Sequence, residues 1–150
     1  MKEIDSNIRH ALRDRGMRVT APRRAILEWL SNRPHATVDE VHRGVVNDLT
    51  TISKQAVYDV LSACDEAGLV RQIKPAGHPA RFERRTGDNH HHLVCRQCGH
   101  IEDLDCHTGQ APCLHPGDGH GFVVDEAEIV FWGLCGSCQS QSLADGNAEP

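Results

Sequence analysis

Two Cys-x-x-Cys pairs, Cys95-Arg-Gln-Cys98 and Cys135-Gly-Ser-Cys138, constrain this chain more than any other feature. Four thiolates arranged as two such pairs suit a closed tetrahedral zinc site, which stabilises a fold and leaves no coordination position open. The competing reading is buried free thiols or a redox pair, and a thioredoxin-like pair follows a strand and starts a helix. Here Cys98 precedes Gly99 and a strand-like run, and Cys138 precedes a polar tail. The spacing therefore favours structural Zn(II). A small sheet is needed to bring the distant pairs together.

Charge divides the chain in the same place. Residues 1–85 carry 15 Lys/Arg against 11 Asp/Glu, and residues 86–150 carry 1 against 10, giving +4 and −9 within the net −5. Six of the seven cysteines and seven of the eleven histidines lie in the acidic part. A mildly basic module is thus followed by an acidic, metal-friendly one. No apolar run suits a signal peptide or a membrane span, so the cysteines are read as ligands and the expected compartment is the cytoplasm.

In the basic part, Ile4, Ile8, Ala11 and Leu12 have helical spacing and stop at Gly16. Thr20-Ala-Pro22 opens a second helix with Ile26, Trp29 and Leu30 inward. Thr37-Val-Asp-Glu40 is a capping-box pattern for a third, whose stripe is Val38, Val41, Val45 and Leu49. Ser53 caps a fourth, with Val57, Val60, Leu61 and Cys64 inward and Gly68 as the stop. Leu69–Lys74 and Ala80–Arg84, joined through Pro75–Pro79, read as a two-stranded ribbon. Helices followed by a ribbon predict an α+β chain that begins with a winged helix-turn-helix. Its recognition helix would expose Ser53, Lys54, Gln55, Tyr58 and Asp59 at the end that meets base edges. Arg13, Arg15, Arg18, Arg23 and Arg24 cluster suitably for phosphates. The alternative is a helical bundle whose basic residues are merely solvated.

In the acidic part, Leu93-Val94, Ile101–Leu104, Phe122–Val124 and Ile129–Trp132 read as short strands, and Cys106–Gly121 as a loop. On a strand, His90 and His92 share a face while His91 points away, and Asp103 on the next strand faces the pair. That arrangement suggests a second metal site. Cys106 and Cys113 belong to neither site: they are inert loop thiols, a redox pair, or ligands of a third metal with His107, His115 or His120. The boundaries predicted are a winged-helix DNA-binding domain over 1–84, a small α/β zinc-containing domain over 85–140, and a flexible tail over 141–150. A zinc hydrolase or deaminase would need an open zinc position and a general base, and the deaminase His-x-Glu with Pro-Cys-x-x-Cys is missing, so no enzyme is expected.

Gly16-Met-Arg-Val-Thr-Ala-Pro-Arg-Arg, Pro34-His35-Ala-Thr-Val-Asp-Glu-Val, Val57-Tyr58, Ala67-Gly-Leu-Val70, His90-His-His-Leu-Val-Cys-Arg-Gln-Cys-Gly99 and the terminal Cys-x-x-Cys together resemble the ferric uptake regulator superfamily. The resemblance runs from about residue 5 to residue 140. It implies a homodimeric, metal-dependent repressor of double-stranded operator DNA with no membrane association, in which residues 85–140 are the metal-binding dimerisation domain. By the same resemblance the regulatory metal site maps to His35, Glu83, His90, His92 and Asp103. Nitrogen and carboxylate donors without thiolate suit Fe(II) or Mn(II), with Zn(II) an alternative. Arg18 becomes a minor-groove or phosphate contact and Tyr58 a base contact. Asp103, where iron-uptake regulators often carry Glu, resembles the peroxide-sensing branch, in which oxidation of a ligand histidine (here His35 or His90) releases DNA. The same fold also serves iron-, nickel- or zinc-uptake control without peroxide sensing. Asp59 departs from the Arg or Asn common after the tyrosine, and Asn89 and Ala127 stand where a further site of some relatives has histidines.

Overall fold

Helix boundaries in the first part follow from local chemistry. The computed structural model describes residues 2–146, with side chains through residue 144. Helix α1 spans Lys2–Asp14, α2 Ala21–Ser31, α3 Val38–Val45 and α4 Lys54–Glu66. Thr20 caps α2 and Ser53 caps α4 through side-chain oxygens that accept from the third residue on. Thr37 and Glu40 form a complete capping box on α3: Thr37 N donates to Glu40 Oε2 at 2.7 Å, and Glu40 N to Thr37 Oγ1 at 3.3 Å. At Gly44, inside α3, a Cβ would come within 2.0 Å of the Trp29 indole nitrogen, so only glycine lets α2 and α3 close here.

These helices enclose one apolar core, with Ile8, Leu12, Ile26, Leu27, Leu30, Val41, Val45, Val57, Leu61, Cys64 and Phe82 all buried. The ribbon is present as β2 (Arg71–Ile73) and β3 (Arg81–Glu83), paired antiparallel with Gln72 opposite Phe82. A two-residue strand, β1 (Ala36–Thr37), adds to the other edge of β3, giving the order β1-β3-β2. That strand is too short for a periodic pattern to announce.

The second sheet has the order β5-β4-β6, from β4 (His90–Cys95), β5 (Ile101–Asp105) and β6 (Val130–Gly133). Strand β4 pairs antiparallel with β5 and parallel with β6, so β6 returns through a long connection across the far edge. The chain divides into two compact units: residues 1–74 with 79–86, and residues 75–78 with 87–150. The tip of the ribbon, Pro75–His78, thus goes with the second unit, where His78 Nε2 lies 3.0 Å from Arg96 O.

Two expectations need correction. Phe122–Val124 is not a strand; Phe122 is 79% and Val123 96% exposed. A short apolar run is not enough to make a strand: these residues pair with neither outer strand of the sheet and pack on no buried face. The predicted flexible tail over 141–150 is a helix as far as 146, since α5 spans Gly136–Gly146. Ser140 and Ser142 hydroxyls donate to the carbonyls of Gly136 and Cys138, which satisfies the side chains within the helix. Residues 147–150 lie outside the described residues.

Candidate metal centres

The Cys-x-x-Cys at 95–98 closes a tight turn between β4 and β5. Gly99 N donates to Cys95 O at 3.0 Å and Cys95 N to His100 O at 2.8 Å. Gly99 adopts φ +74° under the His78 ring, where a Cβ would meet that ring at 2.8 Å. Parallel pairing of β4 with β6 carries the chain to Cys135, just before α5, and Cys138 sits in the first turn of that helix. Against expectation, this pair therefore follows a strand and starts a helix; the convergence of four sulfurs, and not this context, marks it as a metal site. All four sulfurs lie within 4.8 Å of one another. Cys98 and Cys135 are 3.7 Å apart, close to the ~3.8 Å edge of a tetrahedron with ~2.3 Å zinc–sulfur bonds.

Electrostatics suit a cation here. Backbone amides of Cys135, Cys98 and Gln97 aim at the Cys95 sulfur and lower its pKa to about 6. Cys138 is pushed up to about 12, first by burial and then by the neighbouring sulfurs. A buried thiol among thiols ionises only when a positive charge joins it, and a zinc ion supplies that charge.

The other proposed ligands fall in two groups, one in each unit. In the first unit, His35 Nε2 lies 3.1 Å from Glu83 Oε2, and the Glu83 carboxylate is fully buried. His35 has φ +62°, a left-handed conformation uncommon outside glycine, and Arg81 donates to its carbonyl at 2.9 Å. In the second unit, register places His92 opposite Asp103 and His90 opposite Asp105. His90 and His92 are buried with ring centroids 4.8 Å apart. Their Nε2 atoms stand 3.7 and 3.5 Å from Asp103 Oδ1. Asp88 accepts from His90 Nδ1 at 2.8 Å, which fixes the ring and directs Nε2 to the cluster. Imidazole nitrogens and carboxylate oxygens, with no sulfur, form a donor set for a borderline or hard divalent cation.

His91 does point away from that pair, as a strand requires, but it points into a third cluster. His91 Nε2 lies 3.3 Å from Cys113 Sγ, and His91, Cys106 and Cys113 have ligand atoms all within 4.8 Å. His107, His115 and His120 are not in that cluster. Sequence reasoning missed His91 because its partners come from a loop without periodicity. Cys64 is a buried core thiol, raised to about 11 by desolvation.

Among the predicted DNA contacts, Arg18, Ser53, Lys54, Gln55 and Tyr58 are all exposed. Several already have protein partners. Ser53 Oγ caps α4, Lys54 pairs with Asp39 at 3.1 Å, and Gln55 donates to Asp59 at 2.9 Å. In the arginine cluster, Arg24 pairs with Asp5 at 2.6 Å and Arg15 donates to Ala67 O, so these two serve the fold.

Known proteins resemble this chain in sequence and in fold. The family model described as "Ferric uptake regulator family" matches residues 14–129. The chain is 54% identical over 127 residues to transcriptional regulator FurA of Mycobacterium tuberculosis, covering 85% of this chain and 86% of that one. It is 32% identical over 134 residues to the peroxide-responsive repressor PerR of Staphylococcus saprophyticus, covering 87% and 88%. The solved ferric uptake regulator of Pseudomonas aeruginosa with manganese superposes with a TM-score of 0.69 at 25% identity, covering 86% of this chain and 98% of that one. The chain belongs to the ferric uptake regulator family of metal-responsive transcriptional regulators.

Proposed function

We propose that the protein is a homodimeric repressor that binds operator DNA when a cation occupies His35, Glu83, His90, His92 and Asp103. The observation that carries this reading is the pair of buried imidazoles, His90 and His92, beside the half-buried Asp103 carboxylate on β4 and β5, matched in the other unit by His35 against the buried Glu83 carboxylate. Neither half supplies a full shell alone. A cation that takes ligands from both favours one relative placement of the two units, and the helical unit is then held for DNA. Couplings of this kind are commonly ~1–3 kcal/mol, roughly 5–150-fold in affinity.

The helical unit acts as a winged helix-turn-helix, with α4 reading the major groove and β2–β3 as the wing. Tyr58 and Gln55 meet base edges, and Lys54, Ser53 and Arg18 meet backbone or minor groove. The second unit dimerises through its exposed apolar residues, which include Leu93, Phe131, Trp132 and Leu134. Cys95, Cys98, Cys135 and Cys138 hold Zn(II) structurally. Fe(II) or Mn(II) serves at the regulatory site, in keeping with the manganese named for the Pseudomonas regulator. The protein works in the cytoplasm.

A second reading adds peroxide release of DNA. It is favoured by Asp103 and by the PerR relative. Bound Fe(II) would supply the redox chemistry; His35 and His90 hold the positions at which an imidazole is oxidised. The test is a DNA-binding titration with Fe(II), Mn(II), Ni(II) and Zn(II), with and without hydrogen peroxide. Binding lost only with Fe(II) plus peroxide, with one oxygen atom gained on His35 or His90 by mass spectrometry, supports peroxide control. Metal-dependent binding that peroxide leaves unchanged assigns the protein to metal-uptake control alone.

A further inference from the structure

The segment between β5 and β6, residues 106–129, has no helix or strand of its own. Loops of this length without secondary structure are uncommon in compact domains and are usually either functional or disordered. This one starts at Cys106, and Cys113 follows seven residues later. Both thiols return to the sheet, toward the face of β4 opposite His90 and His92. There they meet His91, which is 5% exposed although it is an imidazole on a three-stranded sheet.

We infer that His91, Cys106 and Cys113 form a third metal site, for a thiophilic divalent cation such as Zn(II), that pins the long loop to β4. The His91 Nε2 to Cys113 Sγ separation of 3.3 Å approaches the ~3.6 Å edge between nitrogen and sulfur ligands on one zinc ion. The Cys106 sulfur is set up as a ligand from outside. Asn89 Nδ2 donates to it at 3.2 Å, and Thr108 Oγ1 lies 3.3 Å away. Amide and hydroxyl groups pointing at a sulfur are the outer partners that stabilise a metal thiolate. The same Asn89 amide donates to Gln110 O at 2.7 Å, tying the loop backbone to the start of β4. On the ring's other side, Ile129 N donates to His91 Nδ1 at 3.4 Å; a neutral imidazole that ligates through Nε2 carries its proton on Nδ1, so this long contact would give way on metal binding.

Two thiolates and one imidazole are softer than the donor set of the regulatory site, so the two sites select different cations. Three protein ligands leave one tetrahedral position for water, which makes this site exchangeable where the four-cysteine site is closed. The site lies wholly within the second unit and does not depend on the proposed DNA switch.

The test is titration of the reduced, full-length protein with Co(II), after its structural zinc has been verified and loosely held metal removed. Cobalt bound by thiolate shows a sulfur-to-metal charge-transfer absorption, and cobalt at the sulfur-free regulatory site does not. The expected result is a band that saturates at one equivalent while zinc is retained. It is lost in C106S and C113S, and its affinity falls at least tenfold in H91A. A parallel measurement needs no variant: Co(II) should protect Cys106 and Cys113 from alkylation in peptide maps of the parent protein. Absence of the band, an undiminished band in C106S and C113S, stoichiometric zinc release, or unprotected thiols would each overturn the site and leave Cys113–His91 as a hydrogen-bonded pair only. DNA-binding results bear on none of these outcomes.

Discussion

The helical unit and the sheet unit reach stability by different means. The first buries a continuous set of large apolar side chains, from Ile8 to Phe82. The second buries Val94, Ile101, Cys95 and Cys138 beside three histidines, and leaves Leu114, Phe122, Val123, Phe131, Trp132, Leu134 and Leu143 exposed. Burial at ~25 cal/mol per Å² of apolar surface serves the first well and the second poorly. What the second has in place of an apolar interior is ligand atoms. The contrast teaches that one chain can hold two units of different construction, one built on apolar packing and one built around clustered ligand atoms.

Removing zinc should break the symmetry of that comparison most severely. Structural zinc contributes on the order of 10–16 kcal/mol in small metal-dependent domains. Chelation under reducing conditions, or Cys138→Ser, is expected to abolish the β4–β5–β6 sheet while the helical circular-dichroism signal of the first unit survives with its own melting transition. Joint loss of both units in one transition would show that they do not stabilise independently.

The reverse experiment uses Leu61, fully buried on the inner face of α4. Leu61→Ala should destabilise the helical unit by ~2–5 kcal/mol through lost transfer energy and a cavity. Zinc content should remain that of the parent, measured by emission spectrometry. Thr37→Ala removes one side of the α3 capping box and is expected to cost ~0.5–2 kcal/mol in the same melts, again with metal content unchanged.

A smaller effect comes from Asp5, whose pKa is lowered by hydrogen bonds from Arg9 and then Arg24. A carboxyl depressed in the folded state adds stability above its unfolded pKa of ~3.9, and that stability disappears as the pH falls through the folded value. The melting-temperature gap between the parent and Asp5→Asn should therefore be full at neutral pH and close in acid. A gap that widens in acid would contradict the assignment.

The legible parts of this chain were those with short-range chemistry. Thr20, Thr37 and Ser53 announce helix starts by their side chains, and Gly16 and Gly68, with φ of +68° and +70°, mark the stops. The alternation at His90 and His92 and the pairing of Cys95–Cys98 with Cys135–Cys138 could be read from spacing alone. Contacts made by a loop across sequence distance could not. Nothing near Cys113 points to His91, 22 residues away, and β6 lies parallel to β4 only because the connection crosses the sheet. Phe122–Val124 shows the converse limit, since an apolar, strand-like run that pairs with no neighbour stays irregular. Resemblance, and not periodicity, marked His35 and Glu83, which lie 48 residues apart and meet through packing of the helical unit.

The central claim is that a cation shared by His35, Glu83, His90, His92 and Asp103 sets DNA affinity. The direct measurement is anaerobic binding of the zinc-containing dimer to its preferred duplex, selected from a random-sequence pool, across a Mn(II) titration. A roughly 5–150-fold gain in affinity is predicted for the parent and should vanish in His92→Ala with structural zinc intact. Equal affinity with and without Mn(II) and Fe(II), or an unaltered gain in His92→Ala, would contradict the account.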